Sequence, residues 1–135
     1  MSEKPVAQKL MIKEGRRVLF VSAPKNYVAK LGELPRNVTV LKERNEPADI
    51  IQVFVANRKE MEEHLPKLKK VLNPDGMLWV TYLKDTSKVK TDINRDSVYK
   101  YALSIGLQGV AMIAVDEDWA ALRLKFSRGR LKDAQ

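Results

Sequence analysis

The chain has 135 residues, 44% of them hydrophobic, and no cysteine. That length predicts one domain whose core needs neither disulfide nor structural metal, and the lack of cysteine excludes thiol nucleophiles, cysteine-held zinc and iron–sulfur ligation. Lysine and arginine outnumber the acids 25 to 17, a net +8 that favours anionic partners without choosing among them.

The start, MSEKPVAQKL, lacks the apolar stretch of a secretory signal, and no run approaches the roughly 20 apolar residues of a membrane span. The expectation is a soluble, cytoplasmic protein with no membrane partner. Residues 1–15 read as a lead-in, with a short helix over Val6 to Met11 closed by Gly15. Val18 to Val21 follows, an apolar, β-branched run without alternation, which is the pattern of a strand covered on both faces. Pro24 suits the first turn of a brief helix presenting Tyr27, Val28 and Leu31 and ended by Gly32. A second strand spans Val38 to Leu41. The stretch from Lys42 to Ala48 is too short for a helical crossover, and Ile50 to Val55 supplies a third strand.

Asn57 and Glu60 have the spacing of a capping box. Met61, Leu65, Leu68 and Leu72 recur at helical intervals, with Pro66 inside them, so the helix either kinks there or starts afresh. Asn73-Pro74-Asp75-Gly76 reads as a turn in which glycine takes a positive φ, and Met77 to Leu83 as a fourth strand. After a polar loop, Asn94 caps a helix carrying Val98, Tyr101, Ala102 and Ile105 and stopped by Gly106. Val110 to Val115 and Trp119 to Phe126 form an antiparallel hairpin about Asp116-Glu117-Asp118. The final strand is expected at the sheet edge, and 127–135 is a basic tail.

Strands alternating with helices predict a three-layer, Rossmann-like α/β domain with a mostly parallel sheet and a C-terminal antiparallel hairpin. One link is nearly taut. If strands two and three flank strand one in parallel, seven or eight residues must cover about 17 Å back and about 10 Å across. An adjacent antiparallel placement is the competing topology.

The run Pro74-Asp75-Gly76-Met77-Leu78-Trp79-Val80, the strand start Asp49-Ile50-Ile51, the pair Gly106-Leu107 and the closing hairpin resemble the second half of a class I methyltransferase. More closely, Lys9 to Gly15, Asn73 to Tyr82 and Ala114 to Trp119 resemble a family of small proteins known as domain of unknown function 3052. The similarity runs over nearly the whole chain. It implies a reduced, degenerate methyltransferase-like sheet lacking one strand and its neighbouring helices, and it brings no activity with it.

A nucleotide-binding crossover places glycines after the first strand so that backbone can approach the ligand. Here Ser22-Ala23-Pro24-Lys25-Asn26 stands there, without glycine and with one amide removed by Pro24. The acid expected after strand two is matched only by Glu43. The residue closing the third strand, Asn57, is explained by its capping role. No catalytic residue, cofactor or metal is therefore assigned. The lone His64 is an exposed helix residue, and the hairpin acids lack a calcium-loop spacing.

Ligands of open parallel sheets lie beyond the strands' carboxyl ends. That rim collects Ser22, Lys25, Asn26, Tyr27, Asn57, Arg58, Tyr82, Lys84, Asp116, Glu117 and Trp119. It is the candidate surface for a small ligand or a protein, against the plainer account of a soluble turn with an aromatic cover. The expected function is a non-catalytic binding domain on a methyltransferase-like scaffold. The alternatives are an S-adenosylmethionine-dependent methyltransferase and a polyanion- or nucleic-acid-binding protein using Arg128, Arg130 and Lys132, for which no motif speaks.

Overall fold

The computed structural model describes residues 6–31, 34–42, 46–84 and 91–127. Six strands make one sheet in the order β2-β1-β3-β4-β6-β5. They are β1 (Arg17–Val21), β2 (Thr39–Leu41), β3 (Ala48–Val55), β4 (Leu72–Leu83), β5 (Leu107–Ala114) and β6 (Trp119–Phe126). The helices are α1 (Val6–Lys9), α2 (Tyr27–Lys30), α3 (Arg58–Val71) and α4 (Arg95–Ser104). β2 and β3 flank β1, and both run parallel to it, so the taut connection is the one adopted. β4 continues the parallel set, while β6 and then β5 add to it antiparallel. β6 is thus inside the sheet and β5 forms the edge, contrary to the expectation that the last strand is exposed.

The apolar stripes explain the layers. Met61, Leu65 and Leu68 of α3 and Val98 and Ala102 of α4 pack on Ile51, Val53, Leu78 and Val80. The opposite sheet face, with Val18, Ile50, Phe54 and Trp79, is covered by Ala7 and Leu10 of the lead-in and by Tyr27 and Leu31. Each fully buried side chain of this size contributes about 1.5–3 kcal/mol through area removed from water.

Pro66 lies inside an uninterrupted α3. A proline there leaves the carbonyl four residues earlier without its helical donor, and the Tyr101 hydroxyl of α4 donates to that carbonyl, Glu62 O, at 3.4 Å. Asn57 Oδ1 accepts from Glu60 N at 2.9 Å, but Glu60 Oε1 accepts from Ala56 N rather than from the cap's own amide. The reciprocal box occurs at α4, between Asn94 and Ser97.

Asn73 to Gly76 is not a free turn. β4 starts directly after α3, with Ala48 opposite Leu72 and Ile50 opposite Met77, so four residues bulge opposite Asp49 alone. The Asp49 carboxylate holds the bulge by accepting from Asn73 Nδ2 at 2.8 Å and from Arg17 N at 2.8 Å. Gly76 is required for space and not for positive φ: an added Cβ would stand 2.9 Å from the carbonyl oxygens of both Asn73 and Asp49.

Candidate functional site

The sheet order reverses at β1, whose carboxyl end and that of β3 frame the crevice where open α/β sheets take ligands. The segment leaving β1 turns sharply. Ser22 has φ 59° and Asn26 φ 67°, both in the left-handed region that glycine enters freely. Asparagine tolerates that conformation, whereas for serine it costs on the order of 1 kcal/mol. The backbone shape was not legible from the sequence, because neither residue is a glycine. Ser22, Lys25 and Asn26 are exposed, and Pro24 O accepts from Tyr27 N at 3.0 Å.

Tyr27 closes the crevice on the side of the short helices. It is 7% exposed, and its hydroxyl donates to Gln52 Oε1 at 2.8 Å while Gln52 Nε2 donates to Thr81 Oγ1 at 3.0 Å. Among the described residues Gln52 and Thr81 are the buried polar side chains. The Tyr27 ring meets Phe20 edge-on at 6.0 Å and Phe54 at 4.8 Å, and Phe54 meets Trp119 at 5.1 Å. Four rings therefore run from β1 across β3 to the β5–β6 turn. Burial pushes the Tyr27 phenol up to about 12, with a smaller contribution from the Asp116 carboxylate. The Asp116 carboxylate also orders the turn by accepting from Asp118 N at 2.8 Å and Trp119 N at 2.9 Å, leaving Glu117 exposed.

The rest of the rim is divided by the first turn of α4. On one side a cavity of about 410 Å³ is lined by Tyr82, Lys84, Arg95, Asp96, Met112 and Ala114. Lys84 is fixed there by its amide, which donates to Asp118 O at 2.8 Å, and Tyr82 OH donates to Met112 Sδ at 3.2 Å. On the other side a cavity of about 490 Å³ is lined by Arg58, Asp96, Ser97, Lys100 and Tyr101. Asn57 spends its side chain on the α3 cap, and Arg58 N donates to Asp92 Oδ1 at 2.7 Å.

The structure thus brings Tyr82 and Lys84 together in one cavity and links Tyr27, Asp116 and Trp119 in one aromatic cover. It sets Asn57 and Arg58 apart on the far side of α4. Sequence reasoning missed Arg95, Asp96 and Met112. Asn94 was the available signal, since a helix that follows a parallel strand starts at the carboxyl rim. His64 is half-buried rather than exposed. Gly32, Glu43, Arg128, Arg130 and Lys132 lie outside the described residues. Among the described residues no group of three or more acids or histidines has the arrangement of a metal site, and no helix is long and apolar enough to cross a membrane.

No family model and no curated protein matches the sequence. Solved structures do match. The ribosomal protein L11 methylase from Lactobacillus delbrueckii subsp. bulgaricus superposes with a TM-score of 0.61 at 13% identity, over 90% of this chain and 74% of that one. DhpI in complex with SAH gives 0.64 at 10% identity, over 92% and 83% of the two chains. A SAM-dependent methyltransferase from Aquifex aeolicus gives 0.59 at 18%, over 88% and 86%. The fold is methyltransferase-like. The sheet, parallel through β4 and antiparallel through β6 and β5, is a reduced form of the Rossmann-like arrangement.

Proposed function

We propose that this chain is a binding domain on a methyltransferase-like scaffold, taking a small polar ligand or a protein at the carboxyl rim without catalysing a reaction. The observation that supports this is Tyr27, which fills the crevice side of the sheet switch point with its own ring and ties its hydroxyl to Gln52. Placement in the domain of unknown function 3052 family and in the cytoplasm belongs to the same proposal. Calorimetry with S-adenosylmethionine and S-adenosylhomocysteine tests it, the expected result being no heat up to about 1 mM ligand, where binding free energy is only about −4 kcal/mol. Saturable heat below that concentration overturns the reading.

The second reading is an S-adenosylmethionine-dependent methyltransferase. The comparisons favour it over the first, since several of the similar structures are a methylase or methyltransferases and DhpI is seen in complexes with SAH and with SAM. The left-handed backbone at Ser22 and Asn26, a glycine-like path without glycine, adds support. Under this reading the same titration gives heat, and replacing Ser22 with a bulky residue removes it. Polyanion binding by Arg128, Arg130 and Lys132 rests on sequence charge alone.

A further inference from the structure

The two edges of the sheet are built differently. β2 is three residues long and is followed by Lys42, the short, charged style that discourages strand addition. β5 is eight residues, LQGVAMIA, without a charge or a proline, and among the described residues pairs with β6 alone. A register shift between Gly109 and Ala111 is a protective device within it. Beyond that shift the ladder is regular from Ala111 to Ala114, and it ends where Val115 N donates to Trp119 O. Because antiparallel pairs alternate, Met112 and Ala114 direct their N–H and C=O groups away from β6. Lys9 Nζ, which donates to Ala114 O at 3.3 Å, reaches that carbonyl from outside the sheet.

The side chains beside this open ladder are apolar. Tyr99 is 40% exposed, Leu103 47% and Met112 48%, and these are three of the five large apolar side chains exposed among the described residues. Between α4 and β5 lies a cavity of about 350 Å³ lined by Tyr99, Gly109, Ala111, Met112 and Leu122. Gly109 is kept open to the Tyr99 ring, whose Cδ1 would be 2.7 Å from an added Cβ. Strand addition uses these two elements together, main-chain hydrogen bonds for affinity and a pocket for alternate side chains for selectivity. The charges along the edge are basic, and the exposed acidic turn of Asp116, Glu117 and Asp118 follows its last residues. Arg95 stands beside the cavity, and Arg123 and Lys125 lie on β6 opposite Ala111 and Gln108. The acid among the cavity lining is Asp96, 3.6 Å from Arg95.

We propose that β5 is a docking edge for an extended peptide segment of a partner protein that alternates apolar and acidic residues and adds as a seventh strand. Alternate apolar side chains enter the cavity beside Tyr99 and Met112, and the acids, directed to the opposite face by the strand's period of two, meet Lys125. A second copy of this chain is the poorer occupant, because two chains of net +8 repel. This surface is separate from the crevice at Tyr27 but shares Arg95, Asp96 and Met112 with the rim cavity beside Tyr82, and its test is independent of any methyltransferase ligand.

The probe is a fluorescein-labelled octapeptide of four Val-Glu repeats, with four Val-Lys repeats as its partner, read by anisotropy and by amide shifts. Saturable binding of the Val-Glu peptide that shifts the amides of Leu107–Ala114 is expected, with the Val-Lys peptide weaker by about tenfold or more. Met112→Pro removes an outward-facing amide while keeping the bonds to β6, and is expected to abolish binding. If that variant unfolds, Lys125→Glu, at the surface, is expected to remove the preference for the Val-Glu peptide. Equal affinity for the two peptides, no binding of either, or shifts confined to other residues overturns the proposal. A dimer in sedimentation velocity that Met112→Pro or Lys125→Glu dissolves also overturns it, in favour of self-association.

Discussion

On one face of the sheet, α3 and α4 lay Met61, Leu65, Leu68 and Val98 over β3 and β4 in an apolar contact. On the other, the four-residue helices α1 and α2 share the cover with the hydrogen-bonded series Tyr27, Gln52 and Thr81. They share it too with Arg123, whose Nη1 donates to Met11 Sδ at 2.6 Å and whose buried Nε has no partner. The first face is held by volume and area, which depend only on filling space. The second is held by donors and acceptors that must each find their mate, since an unpaired buried polar group costs more than a paired one returns. Long helices supply the first kind of cover. Where the helices shrink to one turn, specific polar contacts take over the work of fixing the layer.

The largest expected effect is on the apolar face. Leu65→Ala leaves a void under α3 that the packed helix cannot fill, at a cost of about 2–5 kcal/mol, measurable as a lower urea midpoint with unchanged slope. An effect under about 1 kcal/mol would mean that this face collapses freely and that the contrast is false.

Next comes Gln52→Leu, which strands the hydroxyls of Tyr27 and Thr81 and costs about 1–3 kcal/mol. Adding Tyr27→Phe to it is expected to recover part of the loss, because the second change removes an orphan that the first created. Strict additivity in that double-mutant cycle would show that the hydrogen-bonded series is not one unit.

The smallest effect is on pH dependence. Tyr27 ionises at about 12 in the fold against 10.0 unfolded. The neutral phenol is the form favoured by folding, so its contribution is complete below pH 10.0 and declines as pH rises toward about 12. Absorbance at the phenolate band is expected to show a late-titrating tyrosine that Tyr27→Phe removes, with a shallower loss of stability over the same window. Burial, then the nearby Glu62 carboxylate, also holds Tyr101 above its usual value, so part of the decline survives in that variant.

The strands and the α3 stripe were legible because each is a local pattern, an apolar run or a helical interval, that burial itself imposes. The bulge at Asn73–Gly76 was not. Its turn chemistry is genuine, but Asp49, the residue that holds it against β3, lies 24 positions away. The same reason hid β5 at the edge, since a hairpin read from its turn does not say which strand faces the rest of the sheet. At the rim, Tyr82 and Lys84 could be placed from the strand end. Ser22 could not be seen to follow a glycine path, because nothing in a serine announces a left-handed backbone. Gln52 was visible as a polar residue within Ile50 to Val55, and its partners came only from packing α2 across β3 and pairing β4 beside it.

Trp79, 1% exposed at the centre of the sheet, donates its indole N–H to Leu10 O at 3.0 Å. A residue at the heart of the molecule is therefore in direct touch with the peripheral lead-in. In a Trp119→Phe background its emission will report the undocking of that segment as a red shift, so that one intrinsic fluorophore can time the release of the lead-in without a label.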